Sequence, residues 1–198
     1  MKRCPAVLML VIGAMLAVSG LAAAQSASDY FPLAGGNWWR YAGTGIEMTF
    51  VVEETADGAF VVNTVVNDFV IQREYYVIQD GDVIALRRDF PQGSYELDPP
   101  QLFLRSPLAP GQQWAWSGEA AGQLVAMTFT VLEPEVLEIP VGTFEAVVVS
   151  IDGEADGEEL HTMRWFAPGV GMLREQAQVV QGGQVFLLDV FLVDYHVE

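Results

Sequence analysis

Residues 46–54 read IEMTFVVEE, and side chains of opposite polarity fall on opposite sides of this stretch. Met48, Phe50 and Val52 share one face of an extended chain, and Glu47 lies on the other. A period of two residues is the period of a β-strand, whereas an amphipathic helix repeats every 3.6 residues. The pattern predicts a strand with one face buried in a core.

The same alternation runs from Trp38 to the end of the chain and is interrupted by residues that favour tight turns. These turns are Asp57-Gly58, Asn67-Asp68, Asp80-Gly81, the acidic segment 152–159 and Gly182-Gly183. Gly, Asn and Asp tolerate the left-handed backbone of hairpin turns. We therefore predict an all-β protein, a curved antiparallel sheet in the form of a half-barrel or an open barrel.

Two stretches of the chain are nearly the same: residues 32–41 (PLAGGNWWRY) and residues 107–116 (PLAPGQQWAW). Further matches follow in the same order, MTFVV with MTFTV and REYYV with MRWF. Self-similarity at a fixed offset indicates repeated structural units. We predict two duplicated units, about 31–105 and 106–198, within a single β domain that spans 25–198.

The N-terminus has the pattern of a signal peptide over residues 1–24. Two basic residues precede the apolar run 6–21, which ends in three alanines. The run is short for a membrane-spanning helix, and the alanines suit cleavage after Ala24. We expect export to the periplasm or the extracellular space. We expect no membrane anchor, because the only cysteine, Cys4, lies in the part removed.

The charge balance is strongly acidic. Removal of Lys2 and Arg3 leaves seven basic residues, all arginine, against 26 acidic ones, a formal charge of −19. Nucleic acids and anionic lipid headgroups are bound through Lys and Arg, so we expect neither as a partner. The expected mature chain has neither lysine nor cysteine, which excludes Schiff-base chemistry, thiol catalysis and cysteine metal sites.

Few residues offer catalytic or metal-binding chemistry. There are two histidines, His161 and His196, and no G-x-S-x-G motif. The segment 152–159 has acids at positions used by calcium loops, but Met163 stands where a bidentate acid is needed. We interpret it as a hairpin tip, with weak calcium binding as the alternative. No pair among the 26 acids stands out for glycoside hydrolysis. We expect no catalytic residues, no metal, no cofactor and no enzyme activity.

Aromatic residues and the last strand are the candidates for binding. Aromatic pairs two residues apart share one strand face, where they either pack in the core or line the mouth of a cavity. The run 185–193 is apolar on both faces except for Asp189, and fits either the centre of a sandwich or a half-barrel wall facing an apolar ligand. The candidate ligand-binding residues are Trp39, Tyr41, Trp114, Trp116, Met127, Phe129, Trp165 and Phe186.

Asp189 needs a partner if the apolar run around it is buried, because an unpaired buried charge is costly. The arginines that could supply one are Arg73, Arg87, Arg88, Arg164 and Arg174. The sequence does not distinguish among them.

Three motifs carry a family resemblance: YFPLAGGNWWRY from Tyr30, IPVGTFEAVVVS from Ile139 and RWFAPGVGMLREQ from Arg164. Together they resemble a largely uncharacterised group of exported bacterial β-proteins with P-x-G-T-F and W-[YF]-A-P-G-V-G motifs. The curved sheets of this group are similar to the half-barrels of Lol-type lipoprotein carriers. The resemblance implies a fold and no catalytic residues. Such proteins often have a lipid-bearing cysteine at the cleavage site, which this chain lacks.

Two functions are consistent with these features. The first is an exported carrier that holds an apolar or amphipathic ligand, such as a lipid or a lipoprotein, against the concave face of the sheet. The second is an envelope or extracellular interaction module whose sheet is fully packed and whose partner is another protein. A cavity inside the sheet would favour the first, and a filled interior would favour the second.

Overall fold

The computed structural model describes residues 25–120, 122–181 and 184–198. The signal-peptide prediction and the Gly182-Gly183 turn lie outside these residues. A short 3-10 helix, Ala27–Tyr30, precedes the strands. The strands are β1 Trp38–Gly43, β2 Ile46–Glu54, β3 Phe60–Val66, β4 Phe69–Gln79, β5 Asp82–Phe90, β6 Gly93–Leu104, β7 Gln113–Ala120, β8 Gln123–Val131, β9 Glu135–Ile139, β10 Gly142–Ala155, β11 Glu158–Ala167, β12 Gly171–Gln181 and β13 Gln184–His196.

The strands form one antiparallel sheet that closes into a barrel. Hydrogen-bonded neighbours follow the chain from β1 to β8 and from β10 to β13, and β13 pairs with β1. Within the described residues this gives a closed barrel of twelve strands, with β9 attached only to the start of β10. The all-β prediction is confirmed. The predicted half-barrel or open barrel differs from the structure in one respect: the barrel is closed, because Trp38 of β1 pairs with His196 of β13.

The predicted turns within the described residues join consecutive strands. Asp57-Gly58, Asn67-Asp68 and Asp80-Gly81 connect hairpins, and Asp156-Gly157 forms the tip of the acidic segment. Asn67, Asp68, Asp80 and Asp156 adopt positive φ angles, between 48° and 65°. These residue types tolerate that conformation better than others, which is why the chain reverses there.

The segment before β1 plugs one end of the barrel. The Ser28 amide donates to the Gly81 carbonyl at 3.1 Å, and the Gly169 amide donates to the Asp29 carbonyl at 2.8 Å. These bonds tie the segment to the turns after β4 and after β11. Phe31 follows and points into the barrel, where it is 3% exposed. The plugged end is thereby closed by the protein's own chain.

The two repeated stretches have the same local hydrogen bonds. Gly36 donates to the Val52 carbonyl at 3.0 Å, and Gly111 donates to the Val131 carbonyl at 2.8 Å. The residue after each glycine donates back to an alanine, Ala34 or Ala109. The β4–β5 and β11–β12 hairpins also share a bulge, after Tyr75 and after Trp165. These matches support the predicted duplication, which stays a prediction.

The weakest seam of the barrel lies between β6 and β7. Asp98 and Glu119 form the single ladder pair found there in the described residues. Pro99 and Pro100 lack an amide proton, which limits pairing along β6. Indole groups bridge the gap instead, since Trp114 Nε1 donates to the Leu102 carbonyl at 2.9 Å and Trp116 Nε1 to the Pro99 carbonyl at 2.8 Å.

Gly118→Ala is expected to destabilise this seam. An added methyl group would overlap the Asp98 carbonyl oxygen and lie 2.8 Å from the Trp116 ring. Such overpacking should lower the free energy of unfolding by about 1–3 kcal/mol in urea denaturation. Gly35→Ala is the control, because its methyl group would meet only Glu54 at 3.6 Å. Equal stability of the two variants would contradict the close approach of β6 and β7.

The outer face of the barrel carries two similar ion pairs. Arg87 bonds Asp89 at 2.7 Å and lies 4.8 Å above the Tyr75 ring. Arg174 bonds Asp189 at 2.8 Å and lies 5.1 Å above a tryptophan ring. Arg174 is therefore the partner of Asp189. The Arg87 hydrogen bonds lower the pKa of Asp89 to about 2, from an ordinary value of 3.8.

The depressed pKa of Asp89 predicts a pH-dependent contribution to stability. The contribution is fully present above about pH 5 and is lost as the pH falls from 3.8 through 2. Asp89→Asn should therefore lower the free energy of unfolding near pH 7 by no more than about 1 kcal/mol, since water screens an outer pair. The difference from wild type should shrink between pH 4 and pH 2. A difference from wild type that is the same at pH 7 and pH 2 would contradict the role of the Arg87 hydrogen bonds.

Candidate ligand cavity

A cavity of about 390 Å³ lies inside the barrel. It is lined by inward side chains of strands β2–β6, β8 and β10–β13 and by Phe31 of the plug. Its volume falls within the range of small-molecule sites in proteins. The interior of the sheet is therefore not completely filled by its own side chains.

Four aromatic rings form the base of the cavity at the plugged end, and we call them the aromatic floor: Phe31, Trp39, Tyr76 and Phe103. The Phe31 ring centroid lies 5.8 Å from Trp39, 5.6 Å from Tyr76 and 5.2 Å from Phe103. Each ring is less than 9% exposed. Such tilted and stacked contacts stabilise a rigid base.

Gly171 lets Trp39 approach the β11–β12 turn. A side chain at Gly171 would meet the Trp39 indole nitrogen at 2.8 Å, and φ there is +108°. The same indole nitrogen donates to the Val170 carbonyl. The glycine of this motif thus has a structural role, as the resemblance implied.

Apolar side chains line much of the wall above the floor. The residues concerned are Met48, Phe50, Ile71, Phe90, Leu160 and Leu188. Most of them lie near the strand ends that face away from the plug. A ligand in the cavity would therefore contact apolar surface towards that end.

The first of two inward ion pairs joins neighbouring positions of β4 and β5. Arg88 Nε donates to Glu74 Oε1 at 2.7 Å, and Arg88 Nη2 donates to Gln101 Oε1 at 2.8 Å. Tyr76 Oη donates to the second Glu74 oxygen at 3.0 Å. Both carboxylate oxygens of Glu74 are therefore engaged.

The second inward ion pair joins β11 and β12. Arg164 Nε donates to Glu175 Oε2 at 2.7 Å. The Arg164 guanidinium carbon lies 5.2 Å from the centroid of the Phe103 ring on the opposite wall, so this side chain reaches across the barrel. Burial lowers the pKa of Arg164, but the charge and the hydrogen bond of Glu175 raise it, and together with the more distant Tyr76 and Glu74 they outweigh the effect of burial. The pKa of Arg164 is therefore raised.

Two inward tyrosines, Tyr76 and Tyr41, are almost completely buried. Burial, and then the nearby Glu74 carboxylate, raise the pKa of Tyr76 well above 10. Burial, and then Glu175, raise the pKa of Tyr41 in the same way. Arg88 and Arg164 both oppose the rise at Tyr76, which places the two ion pairs within electrostatic range of one hydroxyl group.

The eight predicted binding residues lie in different environments. Met127 and Phe129 line the cavity, and Trp39 lies in its floor. Tyr41 is fully buried and donates to the Met172 carbonyl at 2.9 Å. Trp114 stacks on Phe129 with centroids 5.1 Å apart. Trp116 is 5% exposed and bridges the β6–β7 seam.

Trp165 and Phe186 lie outside the cavity. Trp165 is on the outer face, where its indole donates to Glu135 of β9 at 3.0 Å. Arg164 points inward, and adjacent strand residues face opposite sides, so Trp165 must point outward. Phe186 is 52% exposed near the end opposite the plug. Val185, Phe186 and Leu187 are all exposed, so the start of the run 185–193 is not buried on both faces as its apolar sequence suggested.

Sequence reasoning missed the polar residues that lie deepest in the cavity: Glu74, Arg88, Gln101, Arg164 and Glu175. A signal for one of them was present. Arg164 shares its strand parity with Thr162 and Phe166, so alternation alone places a charge on the apolar face. A charge on such a face requires a partner, and Glu175 is the directly paired residue on β12.

The outer surface offers less for binding. A hollow of about 680 Å³ crosses β7, β8 and β10–β12 and is bordered by small exposed residues such as Ala115 and Ser117. His161 Nδ1 lies 2.6 Å from Asp152 there. Within the described ranges no group of three or more His, Cys, Asp or Glu residues is arranged to hold a metal. No helix in that part of the chain is long and apolar enough to cross a membrane.

Fold and cavity define the class of protein: a closed antiparallel β-barrel that is plugged at one end and encloses a cavity with mixed apolar and charged walls. No family model matches the chain. No curated protein matches it either. The family resemblance inferred from the motifs, and with it the likeness to Lol-type carriers, therefore stays a prediction.

Two solved structures are similar to this chain. One is from Bacteroides fragilis NCTC 9343 and is described as a proposed exported protein with a YmcC-like fold; the TM-score is 0.47 at 13% identity, covering 84% of this chain and 98% of that one. The other is a proposed lipoprotein of Parabacteroides distasonis ATCC 8503, with a TM-score of 0.48, 13% identity and the same coverage of 84% and 98%. The likeness is distant, and nothing about function passes from either protein to this chain.

Glu74→Gln should destabilise the barrel more than a matched change outside it. The variant leaves the mostly buried Arg88 without its carboxylate, which should cost about 2–4 kcal/mol of unfolding free energy in urea denaturation. Asp194→Asn breaks the outer Arg40–Asp194 pair, whose side chains are 42% and 48% exposed, and should cost less than about 1 kcal/mol. A larger loss from Asp194→Asn would contradict the buried character of the inner pair.

Proposed function

We propose that this protein is an exported, non-enzymatic binding protein that holds an amphipathic ligand in the barrel cavity. The observation that carries the proposal is a 390 Å³ cavity with two ion pairs beside its aromatic floor and apolar side chains closer to the end opposite the plug. Such a division suits a molecule with an apolar body and a polar head. Export is proposed from the signal-peptide pattern of residues 1–24.

Exposed apolar residues support entry at the end opposite the plug. Phe69, Leu124 and Leu187 are 73%, 74% and 65% exposed and lie near the starts of β4, β8 and β13. These strands are four positions apart around the barrel, so apolar side chains occur on three sides of that end. Exposed apolar residues cost little if they contact an apolar molecule on its way in.

A second candidate function is a protein-interaction module, and the same exposed residues favour it. Exposed apolar groups can serve as contact sites for other proteins as well as for ligands. The cavity favours the first function, since an interaction module needs no space inside the sheet. The two functions differ in what a substitution inside the barrel would do.

The test is binding of N-phenyl-1-naphthylamine, an uncharged amphipathic fluorophore, to the chain from residue 25 to 198. Thr162 lines the cavity and is 9% exposed, so Thr162→Phe should fill part of the space and weaken binding about fivefold or more. Thr128→Phe adds the same atoms at an exposed outer position of β8 and should leave binding unchanged. Fluorescence titration measures both.

Native mass spectrometry of protein purified gently from its source provides an independent test. Adducts of lipid-like mass that vanish on solvent extraction and rebind would support the proposal. A bare polypeptide mass, with no uptake of the fluorophore by the extracted protein, would overturn it and leave the interaction module as the better explanation.

A further inference from the structure

The cavity contains more hydrogen-bond donors than the protein uses. Arg164 Nε donates to Glu175, but the terminal nitrogens Nη1 and Nη2 donate to no acceptor in the part of the chain that the structure describes. They are not sealed in packing, because Arg164 lines the cavity and 24% of its side chain is exposed there. A guanidinium group presents five donors in a planar fork, so most of this fork faces open space.

Gln101 adds a second donor of the same kind. Its Oε1 accepts from Arg88, while among the described residues its Nε2 has only the Met127 sulfur, at 3.4 Å, as an acceptor. Sulfur is a weak acceptor, and Gln101 is 2% exposed, so this amide is deeply buried without a strong partner. A buried polar group in that state favours any ligand atom that can accept its hydrogen bond.

These donors converge on one region of the cavity. Arg164 lies over the Phe103 ring, and Gln101 stands two residues before Phe103 on the same inward face of β6. Arg88 bonds Gln101 directly and lines the same space. Arginine side chains from opposite walls therefore frame a position just above the aromatic floor.

The acceptors on this part of the wall are nearly used up. Both Glu74 oxygens are engaged, by Arg88 and Tyr76, and one Glu175 oxygen is engaged by Arg164. Each ion pair is neutral overall, yet the free donors of Arg164 and Gln101 outnumber the one free carboxylate oxygen of the two pairs. A ligand that supplies oxygen acceptors, and above all charged ones, fits this surplus.

From this arrangement we infer that the cavity has an anion subsite, formed by Arg164 and Gln101 with Arg88 behind them, which binds the acidic head of an amphiphile. The ligand class is an apolar chain that ends in an acidic oxygen group, such as a carboxylate or a phosphate monoester. The head lies above the aromatic floor, and the chain extends along the apolar wall towards the end opposite the plug. This inference rests on the proposed function and specifies its ligand.

The experiment compares three ligands with the same twelve-carbon chain: dodecanoic acid, monododecyl phosphate and dodecanol. Calorimetric titration measures their binding to the wild type and to the double variant R164Q/E175Q, which replaces the ion pair with two neutral amides. Loss of a charged hydrogen bond should weaken binding of at least one acidic ligand about tenfold or more and change dodecanol by less than about twofold. The acid that is affected identifies the head group.

The matched control is R174Q/D189N, which removes a cross-strand ion pair from the outer face of the same hairpin region. It should change the binding of none of the three ligands. If acids and dodecanol bind the wild type equally well and R164Q/E175Q weakens neither, the anion subsite is wrong while the proposed function stands. If none of the three ligands binds the wild type, the proposed function fails as well.

A measurement on the wild type covers the case in which R164Q/E175Q does not fold. Dodecanoic acid labelled with ¹³C at its carboxyl carbon reports its own ionisation by NMR. Beside Arg164 the bound carboxyl should keep its charge to a lower pH than the free acid does. If the bound carboxyl titrates with a midpoint at or above that of the free acid, the head lies in apolar surroundings and the anion subsite is wrong.

Discussion

The interior volume of a twelve-stranded barrel is the constraint on which the rest of the structure depends. Eight strands enclose a space that inward side chains just fill, whereas barrels of about sixteen strands hold an open channel. A closed sheet of intermediate size must bring in additional groups or remain partly empty. This chain does both. Its N-terminal segment folds back as a plug, the Phe31 ring of the plug packs against three aromatic rings of the sheet, and a cavity of about 390 Å³ is left above them.

The two inward ion pairs meet the same constraint, because long side chains can bridge a wide interior. They occupy matching places in the two halves of the barrel: Glu74 of β4 is directly paired with Arg88 of β5, and Arg164 of β11 is directly paired with Glu175 of β12. Each pair joins one acid to one arginine and is therefore neutral overall. A buried ion pair is seldom worth more stability than apolar residues of the same size. Retaining two of them beside a cavity fits a binding role better than a purely structural one.

The sequence predicted the local structure well because strands and hairpin turns depend on nearby residues. Alternation marked β2, and Asn67-Asp68 and Asp80-Gly81 marked reversals that the structure contains. Closure could not be predicted in the same way, since it depends on pairing between Trp38 and His196, which are almost the whole chain apart. The unusual β6–β7 seam also depends on distant tryptophans that supply indole donors to carbonyl groups of β6.

The candidate site was predicted only in part, for a related reason. Met127 and Phe129 were found because aromatic and apolar residues were counted as candidates, and Trp165 was included on the same ground although its parity places it outside. The groups of the proposed anion subsite are polar, and from the sequence Arg88 and Arg164 were considered only as partners of Asp189. Arg164 would have been identified by asking which strand positions break the apolar face, since its neighbours two residues away are Thr162 and Phe166.

The acidic surface and the donor-rich cavity act on a ligand in opposite directions. A formal charge of −17 repels free anions over distances set by the ionic strength, about 8 Å at physiological salt. A small inorganic anion would meet this repulsion and would gain only hydrogen bonds to groups that already have carboxylate neighbours. An acidic amphiphile also gains the burial of its apolar chain, at roughly 0.8 kcal/mol for each methylene group removed from water. A ligand of the proposed class would therefore need both of its parts, since the surface disfavours the head alone and the charged base of the cavity gives little to the chain alone.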